Sequence, residues 1–139
     1  MLQLVLDTNV LVAGLRSRRG ASYRLLRLFA EGSFQAHISV ALALEYEDVL
    51  KRPGLIAGIT TEEIDGFLDY LFREGNLEQS VPRLRPSLPD PDDERILELA
   101  VQCGATIVTH NTRDFDGAGR FGVRVYAPSD ILIWRESRT

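Results

Sequence analysis

Five of the acidic residues fall at four separated places along the chain, each close to an apolar segment. They are Asp7, Glu45, the pair Asp92 and Asp93, and Asp114. Carboxylates gathered in one site raise each other's pKa unless a cation compensates their charge. If the fold brings these segments together, the four carboxylates can hold a divalent metal ion.

The residue types also indicate which ion and which reaction to expect. Hard oxygen ligands select Mg²⁺ or Mn²⁺. The chain contains one cysteine and two histidines, which makes sulfur and imidazole too scarce to favour zinc in such a cluster. Bound Mg²⁺ or Mn²⁺ activates water and neutralises charge on a phosphate and on the leaving oxygen. The acids therefore predict metal-assisted phosphodiester hydrolysis.

The first two acids also have structural explanations. Asp7 follows the apolar run 4–6 and precedes a second apolar stretch, so it could cap a helix. Glu45 shares a helix stripe with Ala41, Leu42 and Val49, where a carboxylate is costly unless it is compensated. It could instead lie at the rim of the core, paired with a basic residue.

The later acids leave alternatives open as well. Asp90, Asp92 and Asp93 open a predicted helix, where acids complement the helix dipole and cap free N–H groups. Spacing alone does not choose between Asp92 and Asp93. In the predicted loop that follows the strand 105–109, Asp116 is an alternative to Asp114 as the fourth acid.

Glycine and proline divide the chain into alternating strands and helices. The predicted strands cover residues 4–6, 35–39, 77–81, 105–109 and 123–126, and the predicted helices cover residues 21–31, 40–52, 61–75 and 91–103 and a terminal segment after Pro128. Helical crossovers require a mainly parallel sheet, so we predict an α/β fold with four or five strands and helices on both faces. Asp7 and Asp114 then lie near carboxyl ends of strands, where parallel sheets bind ligands.

The composition indicates a protein of ordinary size and location. Its 139 residues suit a single domain over residues 1–139. One cysteine excludes an internal disulfide, and we find neither a secretion signal nor an apolar stretch long enough to span a membrane. We therefore expect a cytoplasmic protein without a membrane partner.

The basic residues are unevenly distributed. The formal net charge is −4, from 16 basic and 20 acidic residues, and gives little general affinity for nucleic acid. Arginines nevertheless cluster at positions 16, 18, 19, 24 and 27, and a looser group lies at 113, 120 and 124. Guanidinium groups fork onto phosphates and stack on bases, although a GC-rich genome gives the same bias.

Four segments in order resemble the motifs of PIN-domain nucleases, in particular the prokaryotic VapC-like toxins of toxin–antitoxin modules. These segments are residues 6–12, 43–53, 90–100 and 108–115. By this resemblance the first three acidic metal ligands fall on Asp7, Glu45 and Asp93. Asp93 takes this role because of its register to Ala100 in the third motif.

The fourth motif departs from the commoner pattern of the family. An aspartate usually stands two residues after the threonine, whereas this chain has Asn111 after Thr109. Members with this form keep the aspartate before the phenylalanine, so the fourth acid is assigned to Asp114. Asn111 is left as a neutral ligand of metal or water, and we expect Thr8, Asn9 and Thr109 to orient the carboxylates.

The resemblance implies a homodimeric nuclease that cuts single-stranded RNA with one or two Mg²⁺ or Mn²⁺ ions. As a toxin it would be silenced by a small antitoxin protein that blocks the acidic groove. We predict that Arg16, Arg18, Arg19 and Arg113 border the path of the RNA.

Two other functions remain to be weighed. A PIN-like module that binds RNA or protein without cleavage is the main alternative, since Asn111 replaces an acid. A phosphatase forming an aspartyl-phosphate needs a second acid where the chain has Asn9. Cys103 and His37 are interpreted as structural, and His110 could contact substrate.

Overall fold

The computed structural model describes residues 1–137, which form one five-stranded sheet. The strands are β1 (Leu2–Leu6), β2 (Phe34–Ser39), β3 (Asn76–Glu78), β4 (Thr106–Val108) and β5 (Val125–Tyr126). Their order is β3-β2-β1-β4-β5, and every neighbouring pair is parallel. The predicted α/β fold with a parallel sheet is confirmed.

Helices cover both faces of this sheet. They are α1 (Thr8–Arg16), α2 (Ala21–Ala30), α3 (Val40–Leu50), α4 (Thr61–Glu74), α5 (Pro91–Cys103) and α6 (Pro128–Glu136). The ring of Phe29 in α2 lies 5.7 Å from that of Phe34 in β2. Cys103 of α5 instead approaches His37. Because alternate residues of a strand point to opposite faces, α2 and α5 lie on different sides.

Local sequence signals set several helix ends. Ser39 accepts a hydrogen bond from the Leu42 N–H at 3.1 Å and caps α3, as predicted. Thr60 and Glu63 form the predicted capping box of α4. At the other end of α5, Gly104 adopts φ 62°, a left-handed conformation that suits glycine.

Most strand and helix boundaries differ by one to three residues from the sequence prediction, and helix α1 was not among the predicted helices. Helix α3 ends at Leu50 and is followed by turns before Pro53-Gly54, where Gly54 has φ 75°. Strand β3 covers residues 76–78 instead of 77–81. The segment after His110 was expected to be a loop, but it forms a 3-10 helix (Thr112–Phe121), because Phe115 and Ala118 become buried on one side of it.

The connection 79–90 is held by two buried acids of α5. The Glu98 carboxylate accepts from the Leu84 N–H at 2.9 Å, and Glu94 accepts from the Ser87 N–H at 2.6 Å. Both side chains are only 3% exposed. Through these hydrogen bonds the two carboxylates hold the connection, which lies outside the sheet, against α5. Within residues 1–137 no helix is both long enough and apolar enough to span a membrane.

Candidate metal centre at the carboxyl edge of the sheet

Asp7 lies where the two central strands end. It directly follows β1, and its backbone N–H donates to the Val108 carbonyl of β4 at 2.9 Å. The residue stands at the N-terminus of α1, yet within the described residues its side chain makes no capping hydrogen bond. The Thr109 hydroxyl donates to Asp7 Oδ2 at 2.8 Å instead. The capping explanation for Asp7 therefore fails, and its carboxylate faces the carboxyl edge.

A small hydrogen-bond network fixes the direction of the Thr109 hydroxyl. Its oxygen accepts from the Asn9 side-chain amide at 3.2 Å and from the Asn111 N–H at 3.0 Å. The one hydroxyl hydrogen is thus left for Asp7. Asn9 also donates to Asp7 at 3.3 Å and accepts from the His110 N–H at 3.1 Å. Asn9 needs both a donor and an acceptor, which an aspartate could not supply.

Helix α3 brings Glu45 to the same edge. The Thr8 hydroxyl donates a short hydrogen bond to the Glu45 carboxylate. The next residue, Tyr46, is 1% exposed, and its hydroxyl donates to the Leu6 carbonyl. Two adjacent residues of α3 are therefore tied to residues on either side of Asp7.

The structure separates the three acids at the start of α5. Asp90 caps the helix by accepting from the Asp92 N–H at 2.9 Å, as the helix-opening pattern predicts. Asp92 is exposed, whereas Asp93 is half-buried. Asp93 interacts electrostatically with Asp7 and Glu45. Asp92 also repels Glu45. Asp93, however, is the more buried of the two residues that spacing left open, and it interacts with Asp7 and Asp114 as well.

Burial and mutual repulsion raise the pKa values of these carboxyl groups. The pKa of Asp93 rises from 3.8 to about 7, first because of burial and then because of repulsion from Asp7, Asp90, Asp114 and Glu45. Burial also raises the pKa of Asp7, with smaller contributions from Asp114 and Asp90, against the lowering effect of the Thr109 hydrogen bond. Burial raises the pKa of Glu45 in the same way. The acids therefore share one electrostatic environment.

The donor set fits a hard divalent ion. Among residues 1–137, no lysine or arginine forms an ion pair with Asp7, Glu45, Asp93 or Asp114. The rim-pairing explanation for Glu45 is therefore wrong. Carboxylate oxygens that repel one another without a protein cation are suited to Mg²⁺ or Mn²⁺.

An open groove of roughly 870 Å³ runs past these acids. Asp7, Glu45 and Asp90 contribute the acidic part of its wall, and Arg16 and Arg52 contribute basic groups. The Arg16 Nε donates to the Leu55 carbonyl at 2.9 Å, and Arg52 pairs with Asp48 at 3.0 Å. The groove thus combines an anionic centre with guanidinium groups in its wall.

Comparison with known protein families identifies the family to which this fold belongs. The sequence profile described as a PIN domain matches residues 3–113, which include the first three of the four acidic segments, from Asp7 to Asp93. The chain belongs to the PIN-domain family. No curated protein sequence matches the chain significantly.

Several solved structures share the PIN-domain fold with this chain. DNA-bound VapBC from Salmonella typhimurium is 17% identical, with a TM-score of 0.64 over 92% of this chain and 99% of that one. VapBC-1 from nontypeable Haemophilus influenzae is 14% identical, with a TM-score of 0.63 over 92% and 99%. VapBC2 from Rickettsia felis, bound to a promoter DNA fragment, is 19% identical, with a TM-score of 0.59 over 89% and 97%.

The fourth motif of this PIN domain lies at the open side of the site. Asn111 lines the groove, and its carbonyl accepts from the Asp114 N–H at 3.1 Å. Asp114 is exposed in the 3-10 helix and contributes to the raised pKa values of Asp7 and Asp93. Asp116 is also exposed. The electrostatic coupling to Asp7 favours Asp114 over Asp116 as the fourth acid.

The predicted basic residues are spread over different surfaces of the PIN domain. Arg16 lines the acidic groove, whereas Arg18 lines a second groove between α2 and α6. Arg19 and Arg113 are exposed near the ends of neighbouring elements. His110 lines the acidic groove, and its Nε2 lies 2.8 Å from the Ser22 hydroxyl.

Sequence reasoning missed two residues of the groove. Asp90 was interpreted as a helix-opening acid, but it also lines the groove and repels Asp7, Glu45 and Asp93. Arg52 closes the second motif next to Pro53. The position of Asp90 three residues before Asp93, on the same helix side, was a signal that could have indicated its second role.

Proposed function

We propose that this PIN domain is an endoribonuclease that hydrolyses single-stranded RNA with Mg²⁺ or Mn²⁺. The observation that supports it most is the mutual electrostatic repulsion of four carboxylates from separate segments near the carboxyl edge of the sheet. They are Asp7, Glu45, Asp93 and Asp114. In the described part of the chain no three of them already lie within 4.8 Å of one another, so a metal would draw them closer together. Within the described residues these acids have no basic partner, so a divalent cation is the natural compensating charge.

In this proposal the four acids hold the metal, with Asp90 as an additional carboxylate at the rim. When bound, one or two Mg²⁺ or Mn²⁺ ions supply Lewis acidity for an attacking water and neutralise charge on the scissile phosphate. The Thr109 and Thr8 hydroxyls orient the Asp7 and Glu45 carboxylates through the hydrogen bonds described above.

The groove supports RNA as the substrate. Its openness admits a flexible strand past the acids, and the Arg16 guanidinium in its wall can contact a phosphate. Asn111 and His110 offer neutral polar groups at the same wall. We therefore expect single strands to be cut and duplexes to be excluded by the buried position of Asp7.

We further propose that the protein is the toxin of a toxin–antitoxin pair. The fold similarity to VapBC structures supports this proposal. The acids of the groove would accept a basic segment of a small antitoxin, because an arginine or lysine there compensates the repelling carboxylates. Binding of such a partner would exclude both metal and RNA.

A homodimer is the proposed assembly. Helix α3 exposes two apolar side chains, Val40 at 49% and Leu44 at 64%, which a second copy of the chain could cover. Light scattering of the purified protein should give twice the mass of one chain. A Leu44→Glu variant should shift that mass toward the monomer, and a monomeric wild type would contradict the proposal.

The decisive experiment compares cleavage of single-stranded RNA by wild type and by an Asp7→Asn/Asp93→Asn variant, each with Mn²⁺. We expect wild type to cut and the variant to lose cleavage while it keeps its fold by circular dichroism. Equal cleavage by both would reject the proposed site. RNA binding without cleavage by wild type would instead favour the non-catalytic RNA-binding module.

A further inference from the structure

A second cluster of potential ligands lies away from the acidic groove. It contains His37 in β2, Glu78 at the end of β3 and Cys103 at the last turn of α5. One ligand atom of each side chain lies within 4.8 Å of the others. His37 is 7% exposed, whereas Glu78 and Cys103 are half-buried, so solvent can reach the cluster from one side.

Hydrogen bonds fix the tautomer of the His37 ring. Its Nε2 bonds to the side-chain carbonyl oxygen of Gln3, which can only accept a proton. Its Nδ1 lies 2.8 Å from the Asn76 amide nitrogen, which can only donate. The proton is therefore on Nε2, and Nδ1 presents a lone pair. A carbonyl that holds one imidazole N–H while the other nitrogen is unprotonated is the usual support of a metal-binding histidine, although here the Asn76 amide occupies that nitrogen.

Acceptors converge on a single donor in this cluster. The Asn76 amide nitrogen donates to His37 Nδ1 and also to Glu78 Oε1 at 2.9 Å. The Cys103 thiol interacts with the Glu78 carboxylate as a hydrogen-bond partner. A cation in place of the amide N–H would meet the same lone pairs of nitrogen and oxygen, with sulfur beside them.

The position of Cys103 in its helix also favours a cation. It is the last residue of α5, where the free carbonyls of the helix carry partial negative charge. The ten residues from Asp93 to Cys103 extend about 15 Å along α5 at about 1.5 Å per residue. The cluster is therefore separate from the carboxylates that would hold Mg²⁺ or Mn²⁺.

We propose that His37, Glu78 and Cys103 form a structural binding site for a borderline-soft divalent metal, with Zn²⁺ as the best-suited ion. Imidazole, carboxylate and thiolate are the ligand types that Zn²⁺ takes in proteins. Ligand atoms around tetrahedral zinc lie about 3.5 Å apart, given bonds of about 2.0 to 2.3 Å. The three groups, whose ligand atoms lie within 4.8 Å of one another, would have to move closer by side-chain rotation to reach that spacing.

Binding would change two groups in a defined way. The Cys103 thiol would release its proton to solvent as the sulfur–metal bond forms. The Asn76 amide would give up its hydrogen bond to His37, and rotation of that amide would turn its oxygen toward the metal as a fourth ligand. The metal would then connect β2, the edge strand β3 and the end of α5.

Cobalt(II) is the probe of choice, because a thiolate ligand gives it a charge-transfer absorption that carboxylate ligands do not give. Cys103 is the single cysteine of the chain, so this absorption can arise from no other residue. We expect wild-type protein titrated with Co²⁺ to develop the band and Zn²⁺ to remove it by displacement. The Cys103→Ser variant should lack the band and should bind Zn²⁺ at least about tenfold more weakly.

Two further variants separate this site from the acidic groove. Asp7→Asn/Asp93→Asn should keep the cobalt band unchanged. Glu78→Gln should weaken the band, because it removes the carboxylate ligand but keeps the size of the half-buried side chain. Zn²⁺ should also protect Cys103 from a thiol reagent in wild type but not in Glu78→Gln. A wild-type protein without the band, or with a reactive thiol at saturating Zn²⁺, would overturn the proposal.

Discussion

The two ends of α5 present opposite kinds of ligand chemistry. Its first turn places Asp93 among carboxylates that repel one another, beside an open groove lined by Asp7, Glu45 and Asp90, and without a basic partner in the described part of the chain. Its last turn places Cys103 beside His37 and Glu78, where each polar group already has a hydrogen-bond partner inside the protein.

The difference shows how one helix can separate two metal preferences. The N-terminal end of the dipole favours carboxylates, but burial and mutual repulsion outweigh it at Asp93 and raise the pKa of that carboxyl. The C-terminal end favours the cation directly. In the two proposed sites, oxygen-only ligands would select a hard ion at one end of α5, and the mixed nitrogen, oxygen and sulfur set would select a softer ion at the other.

The largest expected effect comes from the acidic end. Asp93→Asn should lower cleavage of single-stranded RNA by at least about a hundredfold, because a metal-centred active site contributes several kcal/mol of charge stabilisation. Asp92→Asn changes the neighbouring, exposed acid and should have a far smaller effect. RNA cleavage rates of the two variants, measured with saturating Mn²⁺, test this difference. Similar losses in both variants would contradict the orientation described for Asp93.

A smaller loss is expected from the group that orients Asp7. Thr109→Val removes the hydroxyl that donates to Oδ2 but keeps the shape of the side chain. Removal of such an orienting hydrogen bond costs about 10- to 100-fold in metal affinity. Titration with Mn²⁺, followed by its effect on the melting temperature, measures this loss. An unchanged affinity would mean that the fold alone orients Asp7.

The pH dependence of stability should differ between the two ends of α5. The folded chain keeps the Asp93 proton up to about pH 7, whereas an unfolded chain loses it near pH 3.8. Between these values the folded state binds more protons, so the Asp93 carboxyl stabilises the fold as pH falls through this window. Burial lowers the pKa of His37, so the folded state takes up the His37 proton less readily than the unfolded state does. The contribution of His37 to stability therefore decreases as the pH falls below its usual pKa of 6.5.

Comparison of wild type with Asp93→Asn isolates the acidic contribution, because His37 is present in both proteins. In a chelator, the variant should be the more stable protein above pH 7, and this advantage should shrink as the pH falls toward 4. Urea midpoints at several pH values provide the measurement. An advantage that does not vary with pH would argue against the raised pKa of Asp93.

The smallest effect is expected at the rim. Arg16→Ala should reduce the slope of log binding constant against log salt concentration by about 0.7 for a single-stranded RNA, the value of one lost phosphate contact. Binding measured in Ca²⁺ or in the Asp7→Asn background avoids cleavage. Arg18→Ala tests the groove between α2 and α6 in the same assay. An unchanged slope for Arg16→Ala would place the RNA elsewhere.

Local patterns were enough to predict most of the fold, and the family resemblance was enough to propose three of the acids. The capping signals at Ser39 and Thr60 are short-range, and they are confirmed at the predicted residues. Asp7, Glu45 and Asp93 could be found because each lies in a motif that resembles the PIN family. Asp7 as a helix cap and Glu45 as a paired rim residue were the alternatives that only tertiary contacts could reject.

What the sequence did not indicate depends on contacts between distant segments. Glu94 and Glu98 resemble ordinary helix acids, yet each is buried against the backbone of the connection 79–90. Cys103 was interpreted as an inert core thiol, but it is half-buried beside residues 25 and 66 positions earlier in the chain. No local period reports such pairings, because they arise from sheet order and helix placement.

The buried hydrogen bond from Tyr46 to the Leu6 carbonyl holds α3 against the end of β1. Glu45 directly precedes Tyr46, and Asp7 directly follows Leu6. This hydrogen bond therefore helps to set the distance between the Glu45 and Asp7 backbones when the chain folds. The repulsion between the Asp7 and Glu45 carboxylates is therefore built into the folded backbone. A cation bound between them would reduce this repulsion and would displace the protons that the raised pKa values retain.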